Sequence, residues 1–194
     1  MLFNIGNNNN KRTEVKQNIR PQRRMGVVLP PRQNTYYKNN NPIDEKIYWG
    51  RPTWIFFHTL VEKVNEEHFS IVKPQLCDFI VKICHNLPCP ICAKHAREYM
   101  NSVNFNNITT KRALKRMLFD FHNEVNARKK YKQFDINMLD STYSTAHLIR
   151  AFNNFIKNYH MNGSVRFMVE TAKRKKIVTD LSKWFKSNLI YFTV

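Results

Sequence analysis

From Trp49 onward the apolar positions of this chain recur at helical spacing, with few strand-like alternations and almost no hairpin signals. A first helix is expected over 51 to about 65. Pro52 suits its first turn, and Trp54, Phe57, His58 and Val61 share one face. A second is expected over about 70 to 85 on Val72, Leu76, Phe79, Ile80 and Ile83, ended by Leu87-Pro88. A short third opens at Cys89-Pro90 and runs to about Met100, again with Pro at the first helical position. The fourth, about 110 to 128, starts with a Thr cap and turns Leu114, Met117, Leu118, Phe121 and Val125 inward. One or two turns follow over 135–143. Two further helices are expected over 145–159 and 165–190, divided at Asn162-Gly163. The pattern therefore predicts an all-α protein with no internal repeat.

Residues 1–44 lack any sustained apolar period and read as a basic, disordered arm, whose one sticky patch is Met25-Gly26-Val27-Val28-Leu29. The 194 residues are 42% hydrophobic, enough for one core, but carry a net charge of +18. The excess sits mostly at the ends: +6 over 1–44 (eight basic, two acidic) and +7 over 144–194 (nine basic, two acidic). This division predicts three parts: the arm at 1–44, a body at 45–143 and a basic helical extension at 144–194. The ends suit nucleic acid or another anionic partner. With four glycines and no GxGxxG or GxxxxGK, glycine-rich phosphate loops are excluded. Neither a membrane span nor a signal peptide is visible, so the expected location is the cytosol.

The candidate chemistry lies in the cysteines. All four fall between positions 77 and 92, unlike the dispersed pattern of a secreted disulfide framework. Cys89-Pro90-Ile91-Cys92 is a CxxC at a helix start, where unpaired N–H groups and the helix dipole favour a thiolate and hence disulfide exchange. Cys77 and Cys84, seven residues apart on one helix, are about 10 Å apart by helical rise and cannot pair with each other. They read as packed thiols. Cys84, Cys89, Cys92 and His95 also supply four zinc-type ligands, but Leu87-Pro88 splits one pair and no second knuckle follows.

Two further motifs flank the CxxC. Trp54 and His58 stand one turn apart on the first helix, as do His122 and Asn126 on the fourth, and each pair can grip a planar heterocycle; taken alone Trp54 reads better as core packing and His122 as a satisfied interior histidine, but beside a redox CxxC the flavin reading is the better one. Gly50-Arg51-Pro52-Thr53-Trp54 with His58, then Cys89-Pro90-Ile91-Cys92 with His95 and Ala96, then Phe121-His122-Asn123-Glu124-Val125-Asn126 resemble in order and spacing the Erv1/ALR family of FAD-linked sulfhydryl oxidases. The form is most similar to the short versions encoded by large cytoplasmic DNA viruses, and the resemblance spans about 48 to 143.

The resemblance implies a four-helix bundle with one additional short helix, FAD as cofactor, and a thiol oxidase that makes disulfides in protein thiols with release of hydrogen peroxide. By this likeness Cys92 faces the flavin and Cys89 meets the substrate. Arg51, Trp54, His58, His95, His122, Asn123, Val125, Asn126 and Tyr143 fall at cofactor-contacting positions. Arg128, Lys129, Lys130 and Lys132 are candidates for the pyrophosphate, with Lys130 and Lys132 flanking the family's lysine position at Tyr131; a solvated charge run is an equal reading. Phe119 and Ile136 stand where mitochondrial members have a structural disulfide, which implies an apolar contact in its place. The shuttle cysteines of many members are missing, so electrons are expected directly from a thiol-containing protein or a thioredoxin-like donor, with oxygen as acceptor. A homodimer and a place in the host cytoplasm or the virion are implied in the same way. The reading from a different class is a basic nucleic-acid-binding helical protein with a Cys/His zinc site, supported by the charge and by aromatics among the Lys and Arg of the tail.

Overall fold

Pro52 and Thr53 set the entry to α1 (Gly50–Glu62): the Thr53 hydroxyl donates to the Trp49 carbonyl at 2.8 Å, closing the first turn. In this computed structural model, which describes residues 49–159 and 168–194, α1 is the central rod and packs against α4, α5 and α6. The basic arm, its Met25–Leu29 patch and the break at Asn162-Gly163 lie outside the described residues. Being flanked on several sides explains why α1 buries Phe56 and Leu60 as well as the expected Phe57, His58 and Val61. The helix following it, α2 (Phe69–His85), presents the expected Val72, Leu76, Phe79, Ile80 and Ile83 to the core. It packs against α3 (Pro90–Ser102) and the C-terminal helix. Thr110 caps α4 (Lys111–Arg128) by accepting the Ala113 N–H at 3.1 Å. A single 3-10 turn, Ile136–Met138, leads into α5 (Leu139–Ser144).

The C-terminal region is not an appendage to this core. Rings of α6 (Leu148–Tyr159) stack directly on α1, with Phe155 4.7 Å and Phe152 5.6 Å from Phe56. In α7 (Met168–Ser187), Trp184 lies 5.4 Å from Phe79 of α2 and donates its indole N–H to Gln75 Oε1 at 2.7 Å. Phe56, Ile80, Phe155, Tyr159, Trp184 and Phe185 form one continuous buried cluster. The last residues are strapped to the end of α1 by an isolated antiparallel bridge, Val64 with Phe192, in which the Thr193 N–H donates to the Lys63 carbonyl at 2.7 Å. Among the described residues there is no other strand-like pairing, so the fold is all-α as expected. The Tyr159 hydroxyl, shared between the carbonyls of Ile83 (3.2 Å) and Asn86 (3.0 Å), ties the end of α6 to the last turn of α2, next to the CxxC.

Of the two residues expected to touch where mitochondrial members have a disulfide, only Phe119 is buried. Phe119 is buried with Leu139, Tyr143 and Phe134, whereas Ile136 is 41% exposed. Ile136 opens a 3-10 turn held by the Asp135 carboxylate, which accepts the Asn137 N–H at 2.9 Å, and Leu139 one turn later takes the inward place.

Cys77 and Cys84 are free and buried, as their spacing suggested. Burial pushes the Cys77 thiol up to about 11 and the Cys84 thiol further, so both stay protonated. Alkylation of native, unreduced protein should therefore leave both unmodified. Cys84→Ala, which empties a site only 1% exposed, should lower stability by about 1 kcal/mol, read as a lower urea midpoint.

Candidate active site

Two features of local sequence shape the redox end of the site. Pro90 at the first position of α3 frees the helix start for Cys89, which serves as N-cap, its sulfur accepting the Cys92 N–H at 3.2 Å. Cys89 and Cys92 are joined in a disulfide with their Cα atoms 5.2 Å apart. Pro90 and Ile91 between them are exposed, Ile91 by 69%, so a partner chain can reach the disulfide from this side. The two sulfurs are thus committed to each other. Among the described residues no group of three His, Cys, Asp or Glu side chains is placed to hold a metal ion.

The aromatic and histidine pairs, separated by more than sixty residues in the chain, meet where α1 crosses α4. Trp54 stacks on His122 with centroids 4.1 Å apart and planes 8° from parallel. His58 Nε2 lies 3.1 Å from His122 Nδ1, a hydrogen bond in which one ring donates and the other accepts. Tyr143 of α5 stacks on His58 with centroids 4.7 Å apart. Burial drives the His58 ring down to about 3, with His122 and Lys115 adding to the effect, and drives His122 to about 4. Both imidazoles are therefore neutral at pH 7 and act as hydrogen-bonding, stacking groups rather than as cations.

These depressed values carry a pH prediction. An unfolded histidine takes up a proton near 6.5, while in the fold these two stay neutral to about 4 and about 3, so between those limits the unfolded state holds more protons. Their contribution to stability is full above 6.5 and is lost as pH falls toward the folded values. Melting temperature should accordingly drop steadily from pH 7 to pH 4.5, and His58→Gln, which cannot protonate, should flatten that slope.

Two cavities adjoin this stack. The outer one, of about 580 Å3, is lined by Arg51, Trp54, His122, Asn126 and Tyr143, together with Lys129 and Tyr131. The inner one, of about 100 Å3, runs to Cys92 and His95 and is walled by Phe121 and Leu87. Gly50, Trp54, Val125 and Lys129 line both, so the disulfide and the aromatic stack open onto adjoining spaces. Tyr99 of α3 stacks on Phe121 at 4.5 Å and donates to the Met117 carbonyl at 3.2 Å, which fixes the CxxC helix against α4.

Not every residue singled out from the sequence lines a cavity. His58 sits behind the wall, 3% exposed, and orients His122. Asn123 turns toward the following loop, exchanging two hydrogen bonds with the Phe134 backbone (2.9 and 2.7 Å). Lys130 and Lys132 are exposed and lie outside both cavities. The cause is the helix end: Lys130 has φ 58, a left-handed residue after the Lys129 cap, and the Tyr131 N–H returns to the Asn126 carbonyl at 2.8 Å. That turn leaves Lys129 and Tyr131 lining the outer cavity, with the Lys129 ammonium 5.7 Å from the Tyr131 ring. Arg128 lines the inner cavity while pairing with Glu124 at 2.6 Å. Trp49, Thr142 and Ala146 also border the cavities. As isolated residues outside any motif, they offer no signal in the sequence.

Comparison with known proteins agrees with this arrangement. Residues 51–144 match the sequence model of the Erv1 / Alr family. The chain is 26% identical over 115 residues to the mitochondrial FAD-linked sulfhydryl oxidase ERV1 of Saccharomyces cerevisiae, covering 59% of each. It is 32% identical over 87 residues to the putative FAD-linked sulfhydryl oxidase 096R of Invertebrate iridescent virus 3, covering 44% of this chain and 58% of that protein. To the putative FAD-linked sulfhydryl oxidase 347L of Invertebrate iridescent virus 6 it is 26% identical over 86 residues, 41% of this chain and 78% of the relative. The chain thus spans just under three fifths of the first two relatives. No solved structure matches it.

Proposed function

Because residues 51–144 match the sequence model of the Erv1 / Alr family, we propose that the protein belongs to that family and is an FAD-dependent sulfhydryl oxidase that makes disulfides in protein thiols. The observation that carries this reading is the adjoining of two spaces, one reaching Cys92 of a surface-accessible disulfide and the other walled by the Trp54–His122 stack.

The cavity residues suit such a cofactor. Trp54, His122 and Tyr143 are flat groups for a planar ring system; Asn126 and the neutral His122 bring hydrogen-bonding capacity without a competing charge. Arg51 and Lys129 are the cations for a pyrophosphate, with Lys130 and Lys132 left to solvent. A volume of about 580 Å3 falls within the range of small-molecule sites, roughly 300–1,000 Å3. When bound, FAD accepts two electrons from the dithiol form of Cys89 and Cys92 and passes them to oxygen, giving hydrogen peroxide.

The chain's own residues perform the exchange. A substrate thiolate attacks Cys89 Sγ; the Cys89–Cys92 bond breaks and Cys92 leaves as a thiolate into the inner cavity. A second substrate thiolate then attacks the substrate sulfur of the mixed disulfide, and Cys89 leaves. The Cys92 N–H already points at the Cys89 sulfur, at 3.2 Å, and stabilises that departing charge. The two substrate thiols have lost two electrons and two protons; the CxxC has gained the electrons.

The donor in this reading is a thiol-containing protein or a thioredoxin-like electron carrier; resemblance to the viral forms, rather than to the mitochondrial relative, is what supports a homodimer in the host cytoplasm or the virion that makes disulfides for virion proteins. None of the described helices is long and apolar enough to cross a membrane. The visible spectrum of the purified protein tests the proposal. Flavin absorption that bleaches under anaerobic dithiothreitol and returns with air is expected; a colourless protein, or one containing zinc without flavin, overturns it.

A further inference from the structure

On the outer side of the CxxC a separate cavity of about 280 Å3 lies between the start of α3 and the first turns of α7. Pro88 and Pro90, which bracket Cys89, line it from one side, with His85 and Arg97; Glu170 and Arg174 line it from the other. Arg174 is the unusual member. It is 3% exposed, yet among the described residues it has no carboxylate within ion-pair range, and its one side-chain partner is the Thr171 hydroxyl at 3.0 Å. Its Nε is buried with no hydrogen-bond partner, and so is His85 Nε2. Arg97, on α3, donates to the His85 carbonyl at 3.0 Å, which brings a second guanidinium to the same cavity. Desolvating a guanidinium without a counter-charge is costly, and an entering carboxylate offsets that cost through charge-assisted, bidentate hydrogen bonds. Two guanidiniums against the single carboxylate of Glu170 leave the cavity with a net positive charge.

We propose that this cavity is a substrate subsite, in which Arg174 and Arg97 hold the side-chain carboxylate of an Asp or Glu close in sequence to the substrate cysteine that attacks Cys89. The proposal rests on the sulfhydryl-oxidase reading and adds to it the class of substrate: acidic segments around the reacting thiol. It also gives residues beyond 144, outside the family match, a part in the reaction, since Arg174 comes from α7. Pro90 adjoins Cys89 in the chain, so a peptide bound at the disulfide has its neighbouring residues over the cavity mouth. Glu170, exposed on the first turn of α7, competes with the substrate carboxylate for the guanidiniums.

The test compares two dithiol peptides, acetylated and amidated at their ends, that differ only in a Glu or a Gln beside the cysteines, by oxygen uptake of the full chain carrying its flavin. The Glu peptide is expected to have a kcat/KM roughly tenfold higher, the size of one charge-assisted contact. Arg174→Gln should bring the ratio of the two peptides close to one. Glu170→Gln, a surface change that the fold tolerates, should raise the ratio and keeps the proposal testable should Arg174→Gln fail to fold. Equal kcat/KM for the two peptides with the unaltered protein overturns the subsite and leaves the oxidase reading standing, as does an unchanged ratio in folded Arg174→Gln. An unchanged ratio in Glu170→Gln also counts against it. Absence of oxygen uptake with either peptide and with dithiothreitol removes the oxidase reading itself, and the subsite with it.

Discussion

Cys89→Ser and Cys92→Ser are each expected to reduce thiol-driven oxygen uptake to the level of the uncatalysed reaction. One sulfur must take the substrate into a mixed disulfide and the other must leave to carry the electron pair, so neither half works alone. The two variants should nonetheless differ. With Cys89 replaced, Cys92 remains as a free thiol lining the inner cavity next to Trp54 and should give a long-wavelength charge-transfer band with oxidised flavin. With Cys92 replaced, the remaining sulfur is that of the N-cap residue beside exposed Pro90 and Ile91, and the band should be missing. Retained turnover in either variant contradicts the mechanism itself, whereas identical spectra contradict the order of attack. Neither serine should cost much stability, because both positions are half-buried and the helix start keeps a cap at position 89, the serine hydroxyl in one variant and the Cys89 sulfur in the other.

The second large effect concerns cofactor occupancy. His122→Ala removes the ring that Trp54 stacks on and the partner of His58; Trp54→Ala removes one wall shared by both cavities. Lost contacts of about 1–3 kcal/mol each weaken a noncovalent ligand by roughly five- to a hundredfold or more. Both variants should purify with much less flavin per folded molecule. They should also melt at lower temperature, since a ligand bound only by the folded state stabilises it by mass action. Trp54 additionally meets Phe57 and Phe121 edge-on, at 6.3 and 5.1 Å, so part of its effect is loss of packing. The flavin-to-protein ratio in the folded fraction separates the two causes: packing alone would leave that ratio at one. Full occupancy in both variants would refute the pocket.

Much of this protein is written locally. Periodicity placed the helices because each buries a stripe set by 3.6 residues per turn, and Pro52, Pro90 and Thr110 marked helix starts because their effect acts within one turn. The CxxC disulfide is a contact between residues three apart at a helix start, and the Trp54–His58 and His122–Asn126 spacings put each pair on one helix face before anything else is known. The sequence on its own therefore determined an all-α fold and singled out Trp54, His122, Asn126 and Cys92, which line the two adjoining cavities.

Tertiary structure decided how those groups meet. The bond between His58 and His122 joins positions 64 apart, and only the crossing of α1 and α4 makes it. Which basic residues face the cavity followed from one left-handed residue, Lys130, and from Asn123 pinning Phe134, so Lys129 points where Lys130 and Lys132 do not. Ile136 turned outward because a 3-10 turn offered the inward place to Leu139. Helices α6 and α7, set apart in the sequence by their charge, bury aromatic rings in the same core and bring Arg174 to a cavity that Pro88 and Pro90 also line. Charge is a property of the exposed side of these helices, whereas their place in the fold is fixed by the apolar side, whose partners lie on α1 and α2, distant in the chain.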